Sequence, residues 1–157
     1  MKTKTTTSAG CFLVRRRDDK YQLLLIHKDW GSGNAGWVPP KGAIQLGESV
    51  EEAAIRETKE ETGHKVAKII KFLKVNHNEF QIEDQIIKKD IHWFLALAGD
   101  EKQEELRLTG HEKKTETDIR WFDLDLDIAV AELKFDDEKQ ICREVISFLE
   151  KDYEKRK

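Results

Sequence analysis

Two cysteines, two prolines and one methionine are all that 157 residues hold of those types. No apolar run approaches the roughly 18 residues of a membrane-spanning helix. Each scarcity excludes something. Cys11 and Cys142 sit in separate apolar stretches with no CxxC pair and no neighbouring His, so a disulfide framework or a zinc site is excluded and buried free thiols are expected. Basic excess is missing as well: 28 Lys and Arg against 31 Asp and Glu leave a net charge of −3. That balance argues against a general nucleic-acid coat, which needs positive charge to release counterions, although local basic clusters can still bind phosphate. The first residues, MKTKTTTSAGCFLV, lack a long apolar leader, and a cytoplasmic protein is expected.

What is present is the balance of a folded domain. Charged and hydrophobic residues each make up 38% of the chain, and four Trp with seven Phe give bulk to a core, which excludes disorder. The length suits one domain over residues 1–157. Residues 9–14 and 21–27 flank the polar run RRRDDK and read as a β-hairpin. DWGSGNAG (29–36) reads as a loop, and Pro39 with Pro40 forbids helix and fixes the entry to Lys41 and Gly42. Ser49 with Glu52 forms a capping box, so a helix is expected over 50–62, and Gly63 stops it.

Beyond that helix, residues 66–75, 79–83, 86–98 and 119–122 are strand candidates, and 99–114 is a charged excursion. Residues 127–133 and 138–153 read as helices, the second turning Ile141, Val145, Phe148 and Leu149 inward. Strands framing a central and a terminal helix imply an α+β fold, an α/β/α sandwich about a mixed sheet.

The most specific signal is GAIQLGESVEEAAIRETKEETGH, residues 42–64, where Gly42, Glu48, Arg56, Glu57, Glu60, Glu61 and Gly63 fall on one spaced pattern. A chance match at all seven positions is on the order of a few per million chains. Glu57, Glu60 and Glu61 stand at i, i+3 and i+4, which puts three carboxylates on one helix face within an arc of about 100°. Three such charges repel one another unless a cation sits among them, and a hard divalent ion accepts oxygen ligands of this kind. Ala53 and Ala54 lie on the same side of the wheel, and their small size is expected to leave room for a bulky anion. A solvated Glu-rich face is the bland alternative, but the spaced Gly and Arg positions are independent of helix charge.

This pattern resembles the Nudix box, with Thr58 and His64 standing where an aliphatic residue is usual. The resemblance implies the Nudix fold, with the box helix and a C-terminal helix about the sheet. It also implies a Mg²⁺-dependent hydrolase, with Mn²⁺ as a possible substitute, of a nucleoside diphosphate linked to a moiety X. Metal-activated water would attack phosphorus and break a P–O–P link. Carried over by position, Arg56 orients Glu57 by a salt bridge, and the metal set is Gly42 through its carbonyl, Glu57, Glu60 and Glu61. The water's proton goes to Glu57 or to a carboxylate outside the box, for which Glu116 is the first choice and Glu112 the second. His64 is expected to be an exposed histidine after the helix rather than a ligand.

The flanks GWVPPKG, KKDIHWFLALAG and TETDIRWFDL resemble the diadenosine polyphosphate hydrolase branch, which implies asymmetric cleavage of diadenosine tetra- or hexaphosphate to yield ATP. Such a substrate needs cations for its phosphates and flat surfaces for adenine. Lys41, Lys88 and Lys89 meet the first need; Trp37, His77, Phe80 and Trp93 are candidates for the second, with core packing the alternative for Trp93 and Trp121. Arg15, Arg16 and Arg17 can reach phosphate or simply charge a hairpin turn. RNA 5′-pyrophosphohydrolysis and general (d)NTP pyrophosphatase activity use the same chemistry and stay open. So does a catalytically silent nucleotide-binding sensor, against which the full set of box carboxylates speaks. The partner expected is a small-molecule nucleotide, with RNA only as a 5′-end substrate.

Overall fold

The computed structural model describes residues 2–99 and 116–153. One mixed sheet organises them. Strand β1 (Lys2–Arg17) turns at Asp18 and Asp19 into β2 (Lys20–Asp29), and both turn residues hold positive φ, as a two-residue hairpin turn of the right twist requires. The expected six-residue turn is thus shorter, because Arg15, Arg16 and Arg17 pair with Gln22, Tyr21 and Lys20. Two short strands follow, β3 (Ala35–Val38) and β4 (Lys41–Ala43), on either side of Pro39 and Pro40. Helix α1 (Val50–Thr62) then leads to the long antiparallel pair β5 (Val66–Ile82) and β6 (Gln85–Ala98).

After the undescribed stretch come β7 (Glu116–Asp123), a 3₁₀ turn (Asp125–Asp127), α2 (Ile128–Glu132), α3 (Asp136–Phe148) and a π turn (Leu149–Tyr153). The sheet runs β3-β2-β1-β6-β5, with β4 on β1 and β7 on β2. Among the strands of the described residues only β1 and β6 pair in parallel, Lys2 to Val14 against Gln85 to Leu97, and this pairing makes the sheet mixed. The N-terminal threonines, left outside the expected first strand, are strand residues because β6 offers a partner along their whole length.

Alternation along the strands fills two cores. Phe12, Val14, Leu23, Leu25, Trp93 and Leu95 face Val130, Leu133, Ile141, Cys142, Val145 and Leu149 of the C-terminal segment. Cys11, Leu13, Leu24, Phe94 and Ala96 face Ala53 and Ala54 of α1. These two layers are the expected α/β/α sandwich. Both thiols are buried and free, and burial pushes each up to about 12, so neither is a nucleophile at neutral pH. Phe148 is half-buried rather than turned fully inward, with the Lys71 ammonium 4.8 Å from its ring centre.

Ala53 and Ala54 correct an expectation. They are fully buried against the sheet, where their small size lets α1 approach β1 closely, and they leave no opening for an anion. The Cys11 thiol reaches the Ala54 carbonyl at 3.6 Å across that contact.

Candidate active site

Helix α1 carries the carboxylates because its ends are fixed. The Ser49 hydroxyl accepts from the Glu52 amide and the Glu52 carboxylate accepts from the Ser49 amide, each at 3.0 Å. Gly63 ends the helix in the left-handed conformation and donates to the Lys59 carbonyl at 2.8 Å. Thr58, where the resembling pattern has an aliphatic residue, is fully buried and satisfies its hydroxyl on the Ala54 carbonyl at 2.8 Å.

Arg56 is the hub of the site. Its Nε and Nη2 donate to the two oxygens of Glu48 at 2.7 and 2.9 Å, a bidentate pair. Nη1 donates to Glu57 Oε1 at 2.8 Å and to Glu60 Oε2 at 3.0 Å, while Nη2 also reaches the Ala43 carbonyl at 3.0 Å. One guanidinium thus ties the strand–helix connection to two carboxylates of the helix face. The hydrogen bonds from Arg56 and from the Gln45 amide hold the Glu48 carboxyl down at about 2. Arg56 itself is pushed above the ordinary guanidinium range by Glu48 first. Glu57 goes the other way: burial raises its carboxyl above the usual range, and the Arg56 hydrogen bond only partly offsets this.

The Glu57 carboxylate packs directly on Gly42, where a Cβ would collide with it. Glu61, 1% exposed, lies beside it on the same helix, its Oε1 accepting from the Lys41 amide at 2.7 Å and its Oε2 from the Lys28 ammonium at 2.9 Å, and its charge adds to the rise of the Glu57 carboxyl. The three carboxylates therefore do not form one ready-made cluster: among the described residues no group of three or more Asp, Glu, His or Cys is spaced to hold an ion. Arg56 gathers Glu57 and Glu60, Lys28 holds Glu61, and these cations answer the mutual repulsion of the three charges. The donor set still suits a hard divalent ion. It is all oxygen, the Gly42 main chain lies against Glu57, and Glu60 is exposed.

Lys41 connects this face to a cavity of about 550 Å³ lined by Lys28, Trp30, Asn76, Phe80, Lys89 and Glu138 among others. Its side chain lines the cavity, and burial, then Lys28, lowers its ammonium below the ordinary value. Phe80 and Lys89 both line it, with the Lys89 ammonium 5.5 Å from the Phe80 ring centre. Trp37 and His77 do not line it. Trp37 packs edge-on against His27 and Phe122, with ring centres 5.1 and 4.9 Å away, because β3 is drawn into the sheet beside β2. His77 is exposed on β5 and pairs with Asp90 at 2.7 Å. Lys88 leans toward Glu79 at 3.7 Å, and Trp93 is fully buried against Phe12.

His64 corrects another expectation: it is half-buried, edge-on to Trp121 with centres 5.3 Å apart, and burial lowers its imidazole. Arg15 lies over the other partner, 4.2 Å from the Trp121 ring centre, rather than in the cavity. Glu116 opens β7 with its backbone opposite Lys28, while its side chain and all of Glu112 lie outside the described residues.

Sequence reading missed Trp30, Asn34, Asn76, Phe135 and above all Glu138 as cavity residues. Glu138 is 5% exposed and its carboxyl is pushed up to about 8 by burial, although Lys41 and Lys28 draw it down. A signal existed, since Glu138 stands three and seven residues before Ile141 and Val145, on the apolar stripe of α3 and not on its wet face.

Comparison with known proteins bears on this architecture directly. The profile of the NUDIX domain family matches residues 4–143. The chain belongs to the Nudix family. Curated relatives include the putative mutator protein MutT4 of Mycobacterium tuberculosis, 32% identical over 113 residues that make up 69% of this chain and 45% of that protein. They also include the asymmetrical bis(5'-nucleosyl)-tetraphosphatase of Caenorhabditis elegans, 41% identical over 54 residues, 34% of this chain and 38% of that protein. The Nudix chain thus spans less than half the length of either relative. Among solved structures, the C. elegans Ap4A hydrolase in a binary complex superposes with a TM-score of 0.67 at 21% identity, covering 92% of this chain and 97% of that one. At that identity the likeness is one of fold.

Proposed function

We propose that this Nudix domain, residues 1–157, hydrolyses a phosphoric anhydride link in a nucleoside diphosphate-X substrate, and that X is a second nucleotide. Diadenosine tetraphosphate, cut asymmetrically to ATP and AMP, is the substrate favoured. The observation that carries the reading is Lys41, whose amide holds Glu61 of the carboxylate face while its side chain lines the cavity. A substrate lying along Lys41 has its nucleoside in the cavity and its polyphosphate against the box helix. The family name and the tetraphosphatase relative support the same reading.

Glu57, Glu60, Glu61 and the Gly42 carbonyl would hold a Mg²⁺ or Mn²⁺ ion, which when bound would neutralise phosphate charge and lower the pKa of an attacking water. The protein's own residues do the rest. Arg56 holds Glu57 and Glu60 so that their carboxylates keep one orientation as charge builds up. Lys28, Lys41 and Lys89 attract the polyphosphate, and Lys28 exchanges Glu61 for a phosphate oxygen when the substrate enters. Glu57, whose basicity burial raises, accepts the proton of the water that attacks phosphorus, with Glu116 as the alternative base. The P–O bond to the leaving phosphate breaks in the same displacement. Among the described residues no helix is long and apolar enough to cross a membrane.

Purified protein incubated with Mg²⁺ and diadenosine tetraphosphate should release ATP and AMP in equal amounts on chromatography. A panel of nucleoside diphosphate sugars, triphosphorylated RNA and deoxynucleoside triphosphates should be turned over more slowly. Two ADP per substrate would overturn the asymmetric cut, preference for a panel member would replace X, and no turnover of any compound would favour a binding module.

A further inference from the structure

Past the cavity the sheet continues as a three-stranded arm, in which the first residues of β1 lie beside the end of β5 and the start of β6. Residues 2–5 and 77–82 of this arm are all exposed. The pairing runs through it without a bulge, so its side chains sort onto two faces. On the face turned from the cavity, Lys88 meets Glu79 at 3.7 Å and Asp90 lies 2.7 Å from His77. The cavity's face is different. Its rows read Lys2, Gln85, Ile82, then Lys4, Ile87, Phe80, then Thr6, Lys89, Asn78, with three lysines and no carboxylate. Among the described residues none of these lysines has an ion pair, and the acids of the hairpin turn, Glu83 and Asp84, come after the last row. Rows on one face stand two residues apart, so Lys89, Lys4 and Lys2 follow one another at steps of about 7–8 Å. Phe80 and Ile82 leave apolar surface exposed beside them.

This track is continuous with the cavity, which Phe80, Asn78 and Lys89 already line. Lys41, on β4 against β1, divides that cavity: Lys28, Trp30 and Asn34 come from the β2 side, and Asn78, Phe80 and Lys89 from the β5 and β6 side. Two nucleotides joined through phosphates at Lys41 thus have one side each. Cations set together without acids, next to flat apolar surface, suit a phosphate chain that carries a base, whereas an uncharged sugar gains nothing from them. We propose that the cavity-side face of the arm is the subsite of X, where a second nucleotide lays its phosphates along Lys89, Lys4 and Lys2 and its base on Phe80 and Ile82. The inference rests on the reading of the site as a hydrolase of a nucleoside diphosphate-X substrate, and it makes Lys2 and Lys4 specificity residues for X.

Steady-state hydrolysis of diadenosine tetraphosphate with Mg²⁺ tests this, together with competitive inhibition by ADP, which has no second nucleotide to place on the arm. In K2Q/K4Q the KM should rise roughly threefold to tenfold, the range for two exposed ion pairs, while kcat stays within about twofold and the inhibition constant of ADP does not move. K2R/K4R should restore the native KM. K88Q removes the same charge from the other face of the arm and should leave the native KM. An unchanged KM in K2Q/K4Q, an equal rise in K88Q, or an equal weakening of ADP would each overturn the assignment, the last two by showing general attraction of anions. A 5′-triphosphorylated single-stranded RNA whose KM rises more than that of diadenosine tetraphosphate would also overturn it, since the arm then serves an oligonucleotide. If KM ignores the arm while the native chain still cuts diadenosine tetraphosphate, the proposed function stands and only the subsite fails. If the native chain cuts none, the function fails and the subsite with it.

Discussion

Gly42 and Glu57 show how much of the site depends on single atoms. Because the Glu57 carboxylate occupies the space of a Cβ at position 42, G42A must push it off the Arg56 guanidinium. A displacement of about 1 Å costs on the order of a hundredfold in rate, so G42A should lower kcat by about that factor while KM changes little, as steady-state kinetics will show. Glu138 leaves its mark on stability. Its folded value, about 8, lies above the ordinary carboxyl value, so the stability it contributes is complete below about pH 4.5 and is lost as pH rises toward 8. Thermal melts between pH 5 and 8 should therefore slope downward in the native chain and flatten in E138Q. At this scale the sequence reveals Arg56 and the box glutamates, since their spacing is independent of packing. Glu138 hides in FDDEKQ, which reads as an acidic first turn, and only the position of α3 over the sheet shows that it is buried.

Helix α1 is an element whose ends the sequence specifies. Ser49, Glu52 and Gly63 are local signals, and its observed span is the expected one, Val50–Thr62. S49A removes one half of the capping box and should cost about 1 kcal/mol, a fall in Tm of about 2–4 °C by calorimetry for a domain of this size. The strands were less legible. VNHN looks like a break because asparagine is poor in strands, yet β5 runs unbroken through it, since Asn76, His77 and Asn78 pair with Ile91, Asp90 and Lys89 of β6. That continuity matters to the site, because Asn76 and Phe80 reach the cavity from it. Trp37 lies outside the cavity for a similar reason: WV before the prolines belongs to β3, whose pairing with β2 turns the indole toward His27 and Phe122. In both cases pairing with the neighbouring strand decides, and no pattern within the segment itself encodes it.

At the scale of the whole molecule, the fold brings two separate segments to one place. The box helix supplies carboxylates, the C-terminal α3 supplies Glu138, and Lys41 between them belongs to both. The sandwich architecture was readable from the order of strands and helices, whereas the cavity was not, because its walls come from β2, β4, β5, β6 and α3. On the proposed function, the α1 face is a divalent-ion site that Arg56 and Lys28 keep in order until an ion arrives. Ion binding should then stabilise the native state by mass action, raising Tm with added Mg²⁺ and leaving E60Q unmoved. The most direct test is titration of Mn²⁺ into the protein with the free ion followed by electron paramagnetic resonance. The native chain should withdraw Mn²⁺ from solution with an affinity at least tenfold above that of E60Q or E57Q, the near-ultraviolet circular dichroism of all three being the same. Equal binding by the native chain and both variants would contradict the assignment of the metal to this face.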